Sequence, residues 1–174
     1  GKIFKNQKIE KLNETPYEFF DNSFDYDSSV FNYNKKGTYF SIEKDNVLDD
    51  ESAAEILYFV SHGNEAFISA SSLSYVLLDS LNLTLGSAYS MKDSVMVYLD
   101  HVDSNIYSYN KINYVPYFDS IDSTVMGFCG HIKVNNNDTI KDYVNFIRLG
   151  YGNGYIYLHL MPEIFTNYHL LKGK

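Results

Sequence analysis

The stretch DDESAAEILYFVSHGNEAFISA, residues 49–70, constrains the fold most, because it joins an amphipathic helix directly to a short apolar strand. The helix is predicted from apolar residues at helical spacing, with Asp49 or Asp50 as N-cap and Gly63 at its end. Those apolar residues are Ala53, Ile56, Leu57 and Val60. EAFISA, which follows at once, is short and contains Phe and Ile, as a buried strand does.

The same alternation continues on both sides of this unit. Residues 71–83, SSLSYVLLDSLNL, return to helical spacing through Leu73, Val76, Leu77 and Leu81. GTYFSI at 37–42 is a strand candidate, and so is SVMVYLDHV at 94–102, which is apolar at successive positions like a strand covered on both faces. Strands that alternate with helices predict an α/β layer with parallel neighbouring strands.

The C-terminal third begins with two strand candidates, TVMGFCGHIKV and YVNFIRLG, separated by the turn-rich NNNDT. In RLGYGNGYIYLHL, residues 148–160, three glycines precede a period-two alternation of aromatic and aliphatic side chains. A strand therefore follows the glycines, which predicts a β-hairpin and not a phosphate-binding loop, since such a loop needs a helix there. Pro162 suits the first turn of a final helix, PEIFTNYHLL, whereas residues 106–123 give no clear pattern.

Composition limits the class of protein. The chain has the length of one domain, residues 1–174, and a net charge of −8 with scattered lysines, which disfavours nucleic acid as a partner. No apolar run approaches the roughly 20 residues of a membrane helix. The single cysteine, Cys129, excludes an internal disulfide.

Two clusters of side chains could carry chemistry. Cys129 in GFCGH lies two residues before His131, and with His159 and Glu163 it could form a thiol triad, but the strand-like HIKV after it favours a buried cysteine. Asp100, His101 and Asp103 follow an apolar strand and could bind a divalent metal ion. A solvated loop is the favoured interpretation of that second cluster, and no cofactor is expected.

Three stretches together resemble one family, the bacterial domain of unknown function 4350. They are NETPYEFF near the start, LDDESAAEILYFVSHGNEAFISASSLSYVLLDSLNL in the middle, and VNFIRLGYGNGYIYLHLMPEIFTNYHLL at the end. The resemblance implies a flavodoxin-like fold similar to class I glutamine amidotransferases: a three-layer α/β sandwich with a mostly parallel central sheet, here ending in a β-hairpin. It also implies membrane tethering and a gene neighbourhood that often includes MoxR-type ATPases.

Within that resemblance, the nucleophile elbow of an amidotransferase would fall near Ala70 and Ser71, where this chain has no cysteine. The His-x-Glu pair is also absent, because His159 and Glu163 are four residues apart. These departures favour a scaffold without amidotransferase chemistry. The alternative is a serine hydrolase in which Ser71, or Ser69, is the nucleophile, His159 the base and Glu163 the orienting carboxylate.

We therefore expect a non-catalytic interaction or ligand-sensing domain, part of a longer membrane-anchored bacterial protein and located on the periplasmic side. The expected partners are other proteins, including a MoxR-type ATPase system, and any contact with the membrane would come from segments outside this sequence. An enzyme is the less favoured interpretation.

Overall fold

The structure, a computed structural model, describes residues 8–21, 35–45, 48–100, 106–121, 127–136 and 139–170. Of these residues, 47% are in strands and 24% in helices. The helices are α1 (Pro16–Asp21), α2 (Asp50–Ser61), α3 (Tyr75–Ser80) and α4 (Asn167–Leu170), with a 3-10 helix at Pro162–Phe165. The strands are β1 (Thr38–Ile42), β2 (Glu65–Ser69), β3 (Leu83–Tyr89), β4 (Ser94–Leu99), β5 (Tyr107–Asn110), β6 (Tyr114–Ile121), β7 (Gly127–Asn136), β8 (Thr139–Tyr151) and β9 (Gly154–His159).

Seven strands form one curled, mixed sheet in the order β1-β2-β9-β8-β7-β4-β5. Only β1 with β2 and β2 with β9 run parallel, and the other four pairs are antiparallel. β3 and β6 form a separate antiparallel pair that contacts β7 and β8. The predicted three-layer α/β sandwich with a mostly parallel, flavodoxin-like sheet is therefore wrong: four of the six strand pairs in this sheet are antiparallel, and three of those four are hairpins.

Helix α2 confirms the local prediction. Asp49 is its N-cap, and its side chain accepts a 2.6 Å hydrogen bond from the backbone N–H of Ser52. The helix is followed by Gly63 at φ +84°, a left-handed conformation that suits glycine. Its apolar residues are fully or almost fully buried, and they pack on the strands beneath.

The main hydrophobic core lies on the face of the sheet that helix α2 covers. Ala66 and Ile68 of β2 are level with Ile156 and Leu158 of β9, and all four pack against helix α2. A second cluster lies under the β3–β6 pair, where Val115 meets residues of β4 and β7. Because side chains alternate along a strand, Phe67, Ser69, Tyr157 and His159 point to the opposite face of the sheet.

The glycine-rich stretch forms the predicted hairpin. Tyr151 of β8 pairs with Gly154 of β9, and Gly152 in the turn has φ +58°. The final helix is only partly confirmed: Pro162–Phe165 forms a 3-10 helix, α4 follows, and Leu171 lies outside the described residues. Helix α3 is shorter than its apolar spacing predicted, and residues 106–123 contain strands β5 and β6. None of the helices in the described part of the chain is long and apolar enough to cross a bilayer.

Candidate functional site

The three parallel strands bring their carboxyl ends together, and this end of the sheet carries the residues of the predicted serine-hydrolase site. Ile42, Ser69 and His159 occupy the same register level as the last residues of β1, β2 and β9. The backbone N–H of Ala70 donates to the carbonyl of His159 at 2.9 Å, which fixes the two chain ends relative to each other. Side chains just beyond these strands must therefore lie close together.

Ser69 and His159 form a closed pair. Ser69 Oγ lies 2.8 Å from His159 Nδ1, and the two residues are 0% and 4% exposed. The rings of Phe146 and Phe165 meet the imidazole edge to face at 5.5 Å. Burial lowers the pKa of His159 to about 4, because a charged imidazole loses its hydration in this apolar surrounding. The imidazole is therefore neutral at pH 7.

Ser71 belongs to a different pair. Its Oγ donates to Glu163 Oε1 at 3.2 Å, a contact between the loop after β2 and the 3-10 helix after β9. Ser71 is two residues beyond Ser69, about 6.6 Å along an extended chain, so it has passed the level of His159. The predicted set of Ser71, His159 and Glu163 thus lies at one end of the sheet but divides into Ser69–His159 and Ser71–Glu163.

Cys129 is not next to a base. The side chain is half-buried, its Sγ is 4.0 Å from the Gly127 carbonyl oxygen, and burial raises the pKa of the thiol. Both ring nitrogens of the neighbouring His131 face carboxylates instead. The structure shows no hydrogen bond between the sulfur and His131, His159 or Glu163, and the cysteine is only half-buried where the sequence predicted a buried one.

A second polar cluster crosses strands β4, β7 and β8. His131 Nε2 is 3.1 Å from Asp100 Oδ2, and His131 Nδ1 is 3.3 Å from Asp142 Oδ1. Tyr98 stacks on the imidazole at 5.2 Å, and its hydroxyl donates to Asp142 Oδ2 at 2.6 Å. The sequence alone does not predict this contact of His131 with two aspartates, because only the pairing of β7 with β4 and β8 brings them together.

The predicted metal site can be followed only in part. Asp100 lies at the end of β4, while His101 and Asp103 lie outside the described residues. Asp100 and Asp142 sit at opposite nitrogens of the His131 ring, so the three side chains do not converge on one point. No group of three or more metal-ligating side chains occurs among the described residues.

An open cleft of about 380 Å³ lies at the other end of the parallel strands. Lys36, Asn64, Glu65 and Tyr155 are among the residues that line it. Asn64 is 2% exposed, and its side chain holds together the segments that line the cleft. Its Oδ1 accepts a hydrogen bond from Gly37 N at 3.0 Å, and its Nδ2 donates to the carbonyls of Lys35 and Phe59. The cleft could admit a small polar molecule.

Residues 25–174 match the model of a protein family described as Domain of unknown function (DUF4350). The chain belongs to this family. The match covers most of the sequence and confirms the family resemblance of the middle and C-terminal stretches, whereas NETPYEFF at residues 13–20 precedes the matched region. It does not support the amidotransferase-like fold that the resemblance implied. No curated protein matches the chain.

Two solved structures similar to this DUF4350 chain are glycosidases. One is a β-galactosidase from Bacillus circulans sp. alkalophilus, with a TM-score of 0.46 and 13% identity over 72% of this chain and 20% of that one. The other is an exo-β-1,4-mannosidase from Opitutaceae bacterium strain TAV5, with a TM-score of 0.45 and 8% identity over 72% and 20%. The chain spans about a fifth of each. Likenesses this weak carry no argument about fold or activity.

Proposed function

We propose that this chain is a non-catalytic interaction or ligand-sensing domain of a membrane-anchored bacterial protein, on the periplasmic side. The observation that carries the proposal is the closed Ser69–His159 pair. A nucleophile must reach its substrate, and Ser69 has no exposed surface. The half-buried alternatives are weak, because Ser71 donates to a carboxylate and Cys129 has a raised pKa.

His159 is also poorly suited to be a general base. A base works best when its pKa is near the working pH, and burial has lowered the pKa of His159 to about 4. Among the described residues, no carboxylate hydrogen-bonds to its ring to orient it or to stabilise an imidazolium ion. The same features suit a buried polar pair that stabilises the end of the sheet.

The charge of the chain favours proteins as partners over nucleic acids. The net charge is −8, and polyanions are repelled by such a surface. A MoxR-type ATPase system remains the specific partner that we propose on the resemblance described above. For ligand sensing, the cleft bounded by Lys36 and Asn64 is the best candidate volume.

A serine hydrolase is the second candidate, and one observation favours it: the 2.8 Å distance between Ser69 Oγ and His159 Nδ1 is a normal serine–base contact. It would require the phenylalanine rings over His159 to open. A turnover assay with glutamine and p-nitrophenyl acetate separates the two candidates. We expect the same rate for the wild type and for a Ser69→Ala, Ser71→Ala double variant. Hydrolysis that disappears in the double variant would establish the hydrolase.

A further inference from the structure

Four phenylalanine rings form a continuous set of contacts on the face of the sheet opposite helix α2. Phe40 stacks on Phe67 with ring centroids 4.8 Å apart, and Phe67 meets the edges of Phe146 and Phe165 at 6.1 and 6.2 Å. They come from β1, β2, β8 and the 3-10 helix, so residues distant in sequence build one surface. We call these four residues the phenylalanine face.

The phenylalanine face is partly open to solvent. Phe40 is 51% exposed, and the other three rings are half-buried. His159 supports Phe146 and Phe165 from within the sheet, as described above. Rings held in place by one another lose little conformational freedom when a partner covers them, which favours binding. Contiguous exposed apolar surface of this kind marks interaction sites in soluble domains.

Carboxylates border the phenylalanine face at the carboxyl ends of the parallel strands. Asp45 lies 3.5 Å from the Ser72 hydroxyl, and Glu163 precedes Phe165 in the 3-10 helix. No salt bridge neutralises these two carboxylates within the described part of the chain. A partner that desolvates this border must supply positive charge, because opposite potentials select partners and like charges reject them.

We infer that the phenylalanine face is the docking surface for a segment of a partner protein that carries an apolar side chain next to lysine or arginine. The inference rests on the proposed interaction role and adds the chemistry of the partner. The apolar side chain covers the Phe40–Phe67 stack, and the lysine or arginine pairs with the carboxylate of Asp45 or Glu163. An anionic membrane surface is disfavoured by the same carboxylates.

Three labelled synthetic peptides test this inference by fluorescence anisotropy: one alternating lysine and leucine, one alternating glutamate and leucine, and one alternating lysine and serine. The lysine–leucine peptide should bind at least about tenfold more tightly than either of the others, since only it offers both chemistries. Phe40→Ser should weaken its binding about tenfold. Glu163→Gln should weaken it less and reduce its salt dependence.

The matched control is Tyr89→Ser. Tyr89 is a 62% exposed aromatic residue on β3 with a ring contact to Tyr114, away from the phenylalanine face, and its loss should leave binding unchanged. Near-ultraviolet circular dichroism verifies that each variant is folded. Equal binding of the lysine–serine and lysine–leucine peptides, unchanged affinity in Phe40→Ser, or tighter binding to phosphatidylglycerol vesicles than to the peptide would overturn the inference. None of these results affects the turnover assay, so the proposed function is judged separately.

Discussion

Gly154 lies against the backbone of Asn64, so closely that a Cβ atom added to the glycine would overlap the carbonyl oxygens of Asn64 and Val60. The contact joins the start of β9 to the segment between α2 and β2, where Tyr155 N donates to the Asn64 carbonyl at 3.2 Å. The glycines of the hairpin therefore do two jobs. Gly152 permits the turn, and Gly154 permits the approach of helix and strand.

Gly154→Ala should consequently destabilise the protein. Backbone atoms cannot move aside as the end of a flexible side chain can, so we expect a loss of about 1–3 kcal/mol in the free energy of unfolding, measured with urea. Gly127→Ala is the matched control on strand β7, because an added Cβ there meets nothing within 4 Å. Equal stability of the two variants would show that the contact is not as close as described.

Asn64 provides a second test of the same junction. Its side chain satisfies the N–H of Gly37 and the carbonyls of Lys35 and Phe59, so Asn64→Ala leaves up to three backbone groups without these partners. We expect a loss of about 2–3 kcal/mol, since an unsatisfied buried group costs roughly 1–3 kcal/mol. Asn113→Ala, at an exposed position, should change the stability by less than about 0.5 kcal/mol. Thermal and urea unfolding measure both.

His159 makes the stability dependent on pH in a specific direction. The folded-state pKa is about 4, below the ordinary value of 6.5, so the unfolded chain takes up a proton first as the pH falls. The free energy of unfolding is therefore unaffected by this group above pH 6.5, and it falls as the pH decreases from 6.5 to about 4. Relative to His159→Gln, the wild type should lose about 2–3 kcal/mol between pH 7 and pH 4.5, measured by urea unfolding. An identical pH dependence of both proteins would contradict a buried neutral imidazole.

The Tyr98 hydroxyl should stabilise the β4–β8 arrangement through Asp142. The Tyr98→Phe variant lacks the hydroxyl and therefore the 2.6 Å hydrogen bond. We expect a loss of about 1 kcal/mol in the free energy of unfolding, the usual value for a hydrogen bond. Tyr107→Phe on the neighbouring strand β5 should cost nothing measurable. Burial and the hydrogen bond to Asp142 also raise the pKa of Tyr98, so an absorbance titration at 295 nm should lose one late-ionising tyrosine in the Tyr98→Phe variant.

Local patterns predicted the elements that depend on local physics. The N-cap at Asp49, the glycine after α2, the apolar strand β2 and the β8–β9 hairpin follow from residues within a few positions of one another. The prediction of the fold class was wrong because strand direction depends on pairing between distant segments. SVMVYL suited a doubly covered parallel strand, yet its neighbours β5 and β7 both run antiparallel to it.

The candidate site was predictable as a set of residues but not as a set of contacts. Ser69, Ser71, His159 and Glu163 were named from the resemblance to amidotransferases, and all four lie at one end of the sheet. The choice between Ser69 and Ser71 depends on the register of β2 with β9, where a shift of one residue reverses the face. The contact between His131 and Asp142 could not be predicted, because it depends on how β7 and β8 pair.

The central claim is that the serine beside His159 is not an activated nucleophile. The most direct measurement is intact-protein mass spectrometry after incubation with a fluorophosphonate, which reacts covalently with activated serines. The account predicts no adduct on the folded wild type at pH 7. An adduct of one per chain that is abolished by Ser69→Ala, but not by Ser87→Ala at an exposed position of β3, would contradict it.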